Sequence, residues 1–237
     1  MTGHTLARVA HPVVGFDLDM TLVDSADGIL ATLEAVGAEL GVPLDRSAAR
    51  ASIGLPLETV CAGWLPPELA AAGVRRYREL YPYVGIPATT LMPGAAAAIG
   101  AVRERGGRTL VVSAKVEPAV WAVLEHVGLE VDVVEGGRYG AEKGEALRRH
   151  GAVVYVGDHQ GDVQGARAAG ALAVAVPTGP HSRDQLLAGG ADVVLDDLTA
   201  FPAWLEAWPW ERFPAAPAPG VTGGPGASGR ARRRTDR

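Results

Sequence analysis

Asparagine is absent from this sequence of 237 residues, and lysine occurs only twice, at Lys115 and Lys143. Cysteine occurs once, at Cys61, which excludes an internal disulfide framework and points to a reducing compartment, the cytoplasm. Cys61 itself reads as a small buried apolar residue. No apolar run reaches the ~18 residues that a membrane span needs. The N-terminal stretch has no signal-peptide h-region followed by a small-residue cleavage pattern. Positive charge is not in excess either: 27 acidic side chains stand against 22 basic ones, a formal net charge of −5. No global field therefore draws the chain to nucleic acid or to an anionic membrane. A soluble protein acting on small molecules is the expectation. Monomer and homodimer stay equally open.

The scarcity of lysine carries information. Arginine supplies the other 20 of the 22 basic residues, so the composition replaces Lys by Arg wherever either will serve. A lysine that survives marks a place where a compact ammonium is required and a planar guanidinium does not fit. An apolar fraction of 48% is ample for a buried core. At ~150 residues per domain, the length allows one large domain, or one with a modest insertion.

Along the chain, Val13-Val14-Gly15-Phe16 is a short apolar strand ending at Asp17. Ser25 to Leu40 reads as a helix, with Ser25 as N-cap, Ile29, Leu33, Val36 and Leu40 at helical spacing, and Gly41 as the stop. Residues 45–87 are short helices broken by Gly54, Pro56, Pro66-Pro67 and Pro82, with no strand-like alternation. Beyond Pro93 the texture becomes regular. Strands at 109–112, 131–134, 153–156, 172–176 and 192–195 alternate with helices at 94–105, 118–127, 142–150, 162–169 and 182–187. That alternation predicts an α/β fold, a doubly wound parallel-sheet (Rossmann-like) core covered on both faces. Residues 1–24 and 88–210 form the core, and the helical stretch 25–87 is inserted after the first strand. Trp204 and Trp208 share a helical face and pack on the core edge. Residues 211–237 form a Pro/Gly/Ala-rich tail that reads as disordered, with a solvated basic end.

In open parallel sheets, function collects at the carboxyl ends of strands. Those ends supply Asp17 and Asp19, then Ser113, then Asp158, with Asp162 four residues on; the helix at 142–150 brings Lys143. Any one of these alone is a common helix cap. Together, carboxylates converging on one crevice repel each other unless a cation sits among them. Oxygen-only ligands suit a hard ion, and Mg²⁺ is the expected one. A phosphate group would use Lys143 as a point charge and Ser113 as a donor. Asp17, a carboxylate ionised at neutral pH, is the candidate nucleophile, and Asp19 the candidate acid and base.

These residues resemble the motifs of the haloacid-dehalogenase-like hydrolase superfamily. FDLDMTLVDS is similar to its first motif, TLVVS to its second, and VGDHQGDVQGARAAG to its fourth, with Lys143 at the place of the third-motif lysine. The resemblance spans roughly residues 11–205. It implies a Mg²⁺-dependent phosphatase that hydrolyses a small phosphorylated metabolite through an aspartyl-phosphate on Asp17. The metal would be held by the Asp17 carboxylate, the Asp19 backbone carbonyl and the Asp158 carboxylate, with Asp162 supporting and Thr21 joining Ser113 and Lys143 at the phosphate. The insertion resembles the small α-helical cap of the phosphoglycolate-phosphatase-like branch. Within it Gly54, Leu55 and Pro56 either reach over the site to select substrate or simply break a helix. Met20 departs from the family's glycine, Ala114 from its asparagine, and His159 from its serine or threonine. His159 reads as a helix cap, with substrate contact as the alternative. Arg46 and Arg50 are either solvated or recognise an anionic substrate. A sugar phosphomutase, a pyrophosphatase and a dehalogenase share the fold, and Asp19 argues against the last. A non-enzymatic phospho-accepting receiver module shares the Mg²⁺-aspartate chemistry but lacks such a cap.

Overall fold

The computed structural model describes residues 12–209. Residues 1–11, and the tail expected at 211–237, lie outside the described residues. In chain order the strands are β1 (Val13–Phe16), β2 (Val23–Asp24), β3 (Thr90–Leu91), β4 (Arg108–Val112), β5 (Val133–Glu135), β6 (Ala152–Gly157), β7 (Leu172–Ala175) and β8 (Val193–Val194). The helices are α1 (Ala26–Leu40), α2 (Arg46–Ala51), α3 (Leu57–Trp64), α4 (Pro67–Val84), α5 (Ala95–Glu104), α6 (Glu117–His126), α7 (Ala141–His150), α8 (Gln160–Ala169), α9 (Arg183–Ala188) and α10 (Phe201–Ala207). Among the described residues no helix is long and apolar enough to cross a membrane.

Six strands form one parallel sheet in the order β5-β4-β1-β6-β7-β8. The chain lays β4 and β5 on one side of β1, then returns to lay β6, β7 and β8 on the other. The order therefore reverses at β1, and the carboxyl ends of β1, β4 and β6 bound the crevice where such sheets bind ligands. Two-residue periodicity divides the core. Val14, Phe16 and Val111 point into one cluster with Ile99, Val102 and Phe201. Val13, Leu110 and Val112 point the other way, toward Leu147, Val163 and Ala166. Phe16 meets Phe201 edge-on, with ring centroids 5.4 Å apart. Both faces are thus covered, as apolar strands of a parallel sheet require.

Between β2 and β3 the chain is helical. Pro67 opens α4 at a first-turn position, where its missing N–H has no partner to lose. Helix α4 lies along α1, and its Tyr77 and Tyr81 are buried. The salt bridges of Arg46 to Glu34 and Asp27, and of Arg50 to Asp27, tie α2 to α1 on the solvent side.

Three details differ from the sequence reading. The antiparallel ribbon β2–β3, pairing Val23 with Leu91 and Asp24 with Thr90, joins the helical stretch to the sheet and was not anticipated. The strand expected at 131–134 begins at Val133, because Asp132 binds Thr109 of β4 through its side chain, accepting from the amide at 2.7 Å and the hydroxyl at 2.7 Å. Ser25 occupies the N-cap position of α1 but makes no side-chain cap bond; its hydroxyl donates to Asp19 at 2.6 Å.

Met20 adopts φ = 61°, the one left-handed residue other than glycine among the described residues. Its side chain packs with Ala26 of α1 and Ile53, so the residue links the loop after β1 to the helical insertion. Truncating Met20 loses that packing with either alanine or glycine, but only glycine relieves the left-handed strain. Met20→Gly is expected to be more stable than Met20→Ala by about 1 kcal/mol, read from urea midpoints. An alanine variant as stable as the glycine variant would show that no strain is held there.

Candidate active site

The loop after β1 sends two neighbouring carboxylates into different surroundings. Asp17 N–H extends the ladder to β6 by donating to the Val156 carbonyl at 2.8 Å. The chain then turns tightly, with Leu22 N–H and Val23 N–H both donating to the Leu18 carbonyl, and Thr178 Oγ1 donating to the Met20 carbonyl at 2.5 Å. Leu18 is buried between the two acids. Asp17 consequently faces Lys143, whereas Asp19 faces Ser25 and Lys115, whose Nζ lies 3.4 Å from Asp19 Oδ2.

Lys143 is placed by close contact between α7 and α8. A Cβ at Gly165 would lie 2.9 Å from the Cβ of Lys143, and one at Gly144 would lie 2.9 Å from the Gly165 carbonyl oxygen. The buried ammonium bridges Asp17 Oδ1 at 2.7 Å and Asp162 Oδ1 at 2.6 Å. Asp162 is fixed from its other oxygen by the His159 N–H at 3.0 Å, half of a capping box in which His159 Nδ1 accepts from Gly161 N–H. His159 is therefore the cap of α8, and burial holds its imidazole down at about 4, so it carries no charge near neutral pH. Asp158, at the end of β6, accepts from Thr21 Oγ1 at 2.8 Å. Thr21, expected at the phosphate, directs its hydroxyl to that carboxylate.

Asp17, Asp158 and Asp162 offer oxygens within 4.8 Å of one another, all buried, against the single ammonium of Lys143. Burial, added to by the neighbouring carboxylates, pushes Asp17 up to about 7 against the pull of Lys143, and raises Asp158 well above the ordinary carboxylate range. Burial alone would lower the Lys143 ammonium, but Asp162 and Asp17 outweigh it and hold the lysine charged. Three carboxylates against one ammonium leave buried oxygen donors two positive charges short when all are ionised, the condition a hard divalent cation satisfies.

Ser113 is buried at the end of β4, its Oγ accepting from Lys115 N–H at 3.1 Å. Gly54 and Leu55 line a cavity together with Asp19, whereas Pro56 caps α3 and lies outside that lining. Gly54 has φ = 98°, and a Cβ there would lie 3.4 Å from the His159 ring, so the insertion's loop touches the core beside Asp158. Two features escaped the sequence reading. Lys115 is set against Asp19, with Nζ 4.2 Å from the Tyr81 ring centroid. Its rarity was visible; its partner was not. Gly179 runs so close to Asp158 that no Cβ fits between them, and nothing in the local sequence announced it.

In this fold, whose strand order reverses at β1, a buried lysine bridges the strand-end Asp17 and Asp162 of α8, and the sequence matches a known family. The family profile described as haloacid dehalogenase-like hydrolase covers residues 14–167, and the chain belongs to that family of enzymes. It is 33% identical over 205 residues to a protein of Dickeya dadantii named "Probable phosphatase IndB", covering 78% of this chain and 89% of that one. It is 32% identical over 194 residues to the phosphoglycolate phosphatase of Synechococcus elongatus, covering 76% of this chain and 91% of that one. Among solved structures, a haloacid dehalogenase-like family hydrolase from Streptococcus pneumoniae superposes with a TM-score of 0.73 at 25% identity, over 83% of this chain and 97% of that one.

Removing the lysine leaves three buried carboxylates uncompensated. With a chelator present at pH 8, Lys143→Met is expected to destabilise the fold by about 3–5 kcal/mol, measured by urea unfolding. The loss should shrink toward pH 5: without the lysine the folded-state carboxyls lie above their unfolded values, so their stability is present at low pH and lost as pH rises. Unchanged stability at pH 8 would show that the ammonium is not held by these acids.

Proposed function

We propose that the protein is a Mg²⁺-dependent phosphatase that hydrolyses a small phosphate monoester through an aspartyl-phosphate on Asp17. The observation that carries this reading is the Lys143 bridge beside Asp158, with Asp19 two residues from Asp17 yet turned to a separate environment. Asp17 Oδ1 accepts from Lys143, so the other carboxylate oxygen attacks phosphorus as the ester P–O bond breaks. Asp19 donates a proton to the leaving oxygen, then takes one from the water that attacks the Asp17–phosphorus linkage and releases phosphate. Lys143 and Ser113 hold the phosphoryl oxygens, and Thr21 orients Asp158. Asp17, Asp158 and the Asp19 backbone carbonyl would hold the cation, with Asp162 supporting through Lys143 and the His159 amide. Bound there, Mg²⁺ supplies charge stabilisation for the phosphoryl group and keeps Asp17 ionised.

Residues 25–87 serve as a cap over a core formed by 1–24 and 88–210. Gly54 and Leu55 belong to the part of the cap that meets the substrate. The cap excludes water while the phosphoryl is transferred and opens to release product. A small soluble metabolite of the cytoplasm is the substrate that the single buried cysteine and the modest negative charge agree with.

With 4-nitrophenyl phosphate as probe, hydrolysis is expected to require Mg²⁺ and to vanish in excess chelator. Asp17→Asn should lower kcat by about a thousandfold or more with an unchanged circular dichroism spectrum. Full turnover in chelator, or a variant as active as the parent chain, would refute the mechanism.

A further inference from the structure

We infer that the ester hydrolysed here has a bulky apolar, ring-bearing leaving group and not a small one carrying a second anion. This rests on the phosphatase reading and extends it to the part of the substrate that departs. A cavity of about 290 Å³ lies between the insertion and the start of α6. Asp19 lines it, whereas Asp17, Lys143 and Asp158 do not, so it begins where the leaving oxygen takes up its proton. Its walls are chiefly apolar, including Ile29, Leu33, Ile53, Leu55, Tyr77 and Tyr81. The Tyr77 and Tyr81 rings are stacked, with centroids 5.3 Å apart and planes inclined by 18°. An apolar cavity of ~150 Å³ is large enough to bind benzene, so this one has room for one or two rings.

The charges around the cavity point the same way. Two cations line it, and each already faces a carboxylate: Lys115 lies 3.4 Å from Asp19, and Arg78 bonds Glu58 at 2.5 Å. Glu58 itself lines the space and would repel a second anion. Arg46 and Arg50, which the sequence offered for anion recognition, are outside the lining and pair with Asp27 and Glu34 of α1. A carboxylate such as that of phosphoglycolate would enter this cavity without a partner, which burial penalises heavily. An aryl ring would exchange water for the tyrosine and aliphatic walls.

The test compares esters of primary alcohols, so that the apolar body is the main variable. With the full chain and Mg²⁺, 2-phenylethyl phosphate is expected to show kcat/KM at least tenfold above both phosphoglycolate and ethyl phosphate. Leu55→Arg, which adds a cation to the lining, should shift the ratio toward phosphoglycolate by tenfold or more. Parity between 2-phenylethyl phosphate and ethyl phosphate, or a preference for phosphoglycolate, would overturn the inference while leaving the phosphatase reading intact. Calorimetry with 2-phenylethylphosphonate and 3-phosphonopropionate reads the same preference without turnover. Tighter binding of the former, with no ester hydrolysed, would support the cavity assignment and remove the phosphatase reading. Tighter binding of the latter would overturn the inference whatever the turnover.

Discussion

The ammonium of Lys143, held between Asp17 and Asp162, is the constraint on which the remaining geometry depends. A buried lysine is tolerated only where carboxylates face it, and these carboxylates come from two different elements. Asp17 reaches it from the end of β1, and Asp162 from the first turn of α8. Lys143 arrives from α7, which can approach α8 only because Gly144 and Gly165 put no Cβ between the two helix backbones. Tyr155 of β6 closes the base, its hydroxyl donating to the Val112 carbonyl at 2.7 Å. One ammonium thereby joins the strand that carries the proposed nucleophile to the two helices beyond β5. The ammonium contacts Asp17 and Asp162, whereas Asp158 is met by the Thr21 hydroxyl, and burial with its carboxylate neighbours raises it well above the ordinary carboxylate range.

Asp17 and Asp19 show how a fold gives two identical side chains different surroundings. Leu18 between them is buried in the core, and the tight turn that follows gives the two acids different partners. Asp17 enters the crowded carboxylate cluster. Asp19 enters the seam between sheet and insertion, where Ser25 donates to it and Lys115 balances it. The left-handed turn at Met20 follows directly, and the Met20 side chain returns to pack on Ile53 of the insertion. The loop after β1 and the helical insertion are thus connected by a residue that a glycine could replace only with loss of that contact.

Much of this was legible in the residues. The apolar runs of β1, β4 and β6 mark the central strands because a strand covered on both faces needs no polar side, and Asp17, Ser113 and Asp158 follow immediately at their ends. Lysine scarcity isolates Lys143 before any geometry is known. Other features lacked a local signal. The ribbon β2–β3 is too short to show a period, since two residues a strand carry no alternation. Just before β5, the Asp132 side chain accepts from the Thr109 amide and hydroxyl while its own N–H donates to the Thr109 carbonyl. The partner of Lys115 depends on how the loop after β4 meets the loop after β1, and the approach of Gly179 to Asp158 depends on the segment after β7. Both are properties of tertiary contact, which spacing along the chain does not encode. Ser25 illustrates the converse: its sequence position says N-cap, yet a carboxylate six residues earlier claims the hydroxyl.

The proposed mechanism requires covalent transfer of the phosphoryl group to Asp17 before water attacks. Hydrolysis of an ester made chiral at phosphorus with oxygen isotopes measures this most directly, and it does not require the intermediate to accumulate. Two successive in-line displacements, the first by Asp17 and the second by water, each invert the phosphorus centre, so the phosphate released should show net retention. Net inversion would mean that water attacks the ester in a single step, with Asp17 never carrying the phosphoryl group, and would contradict the account.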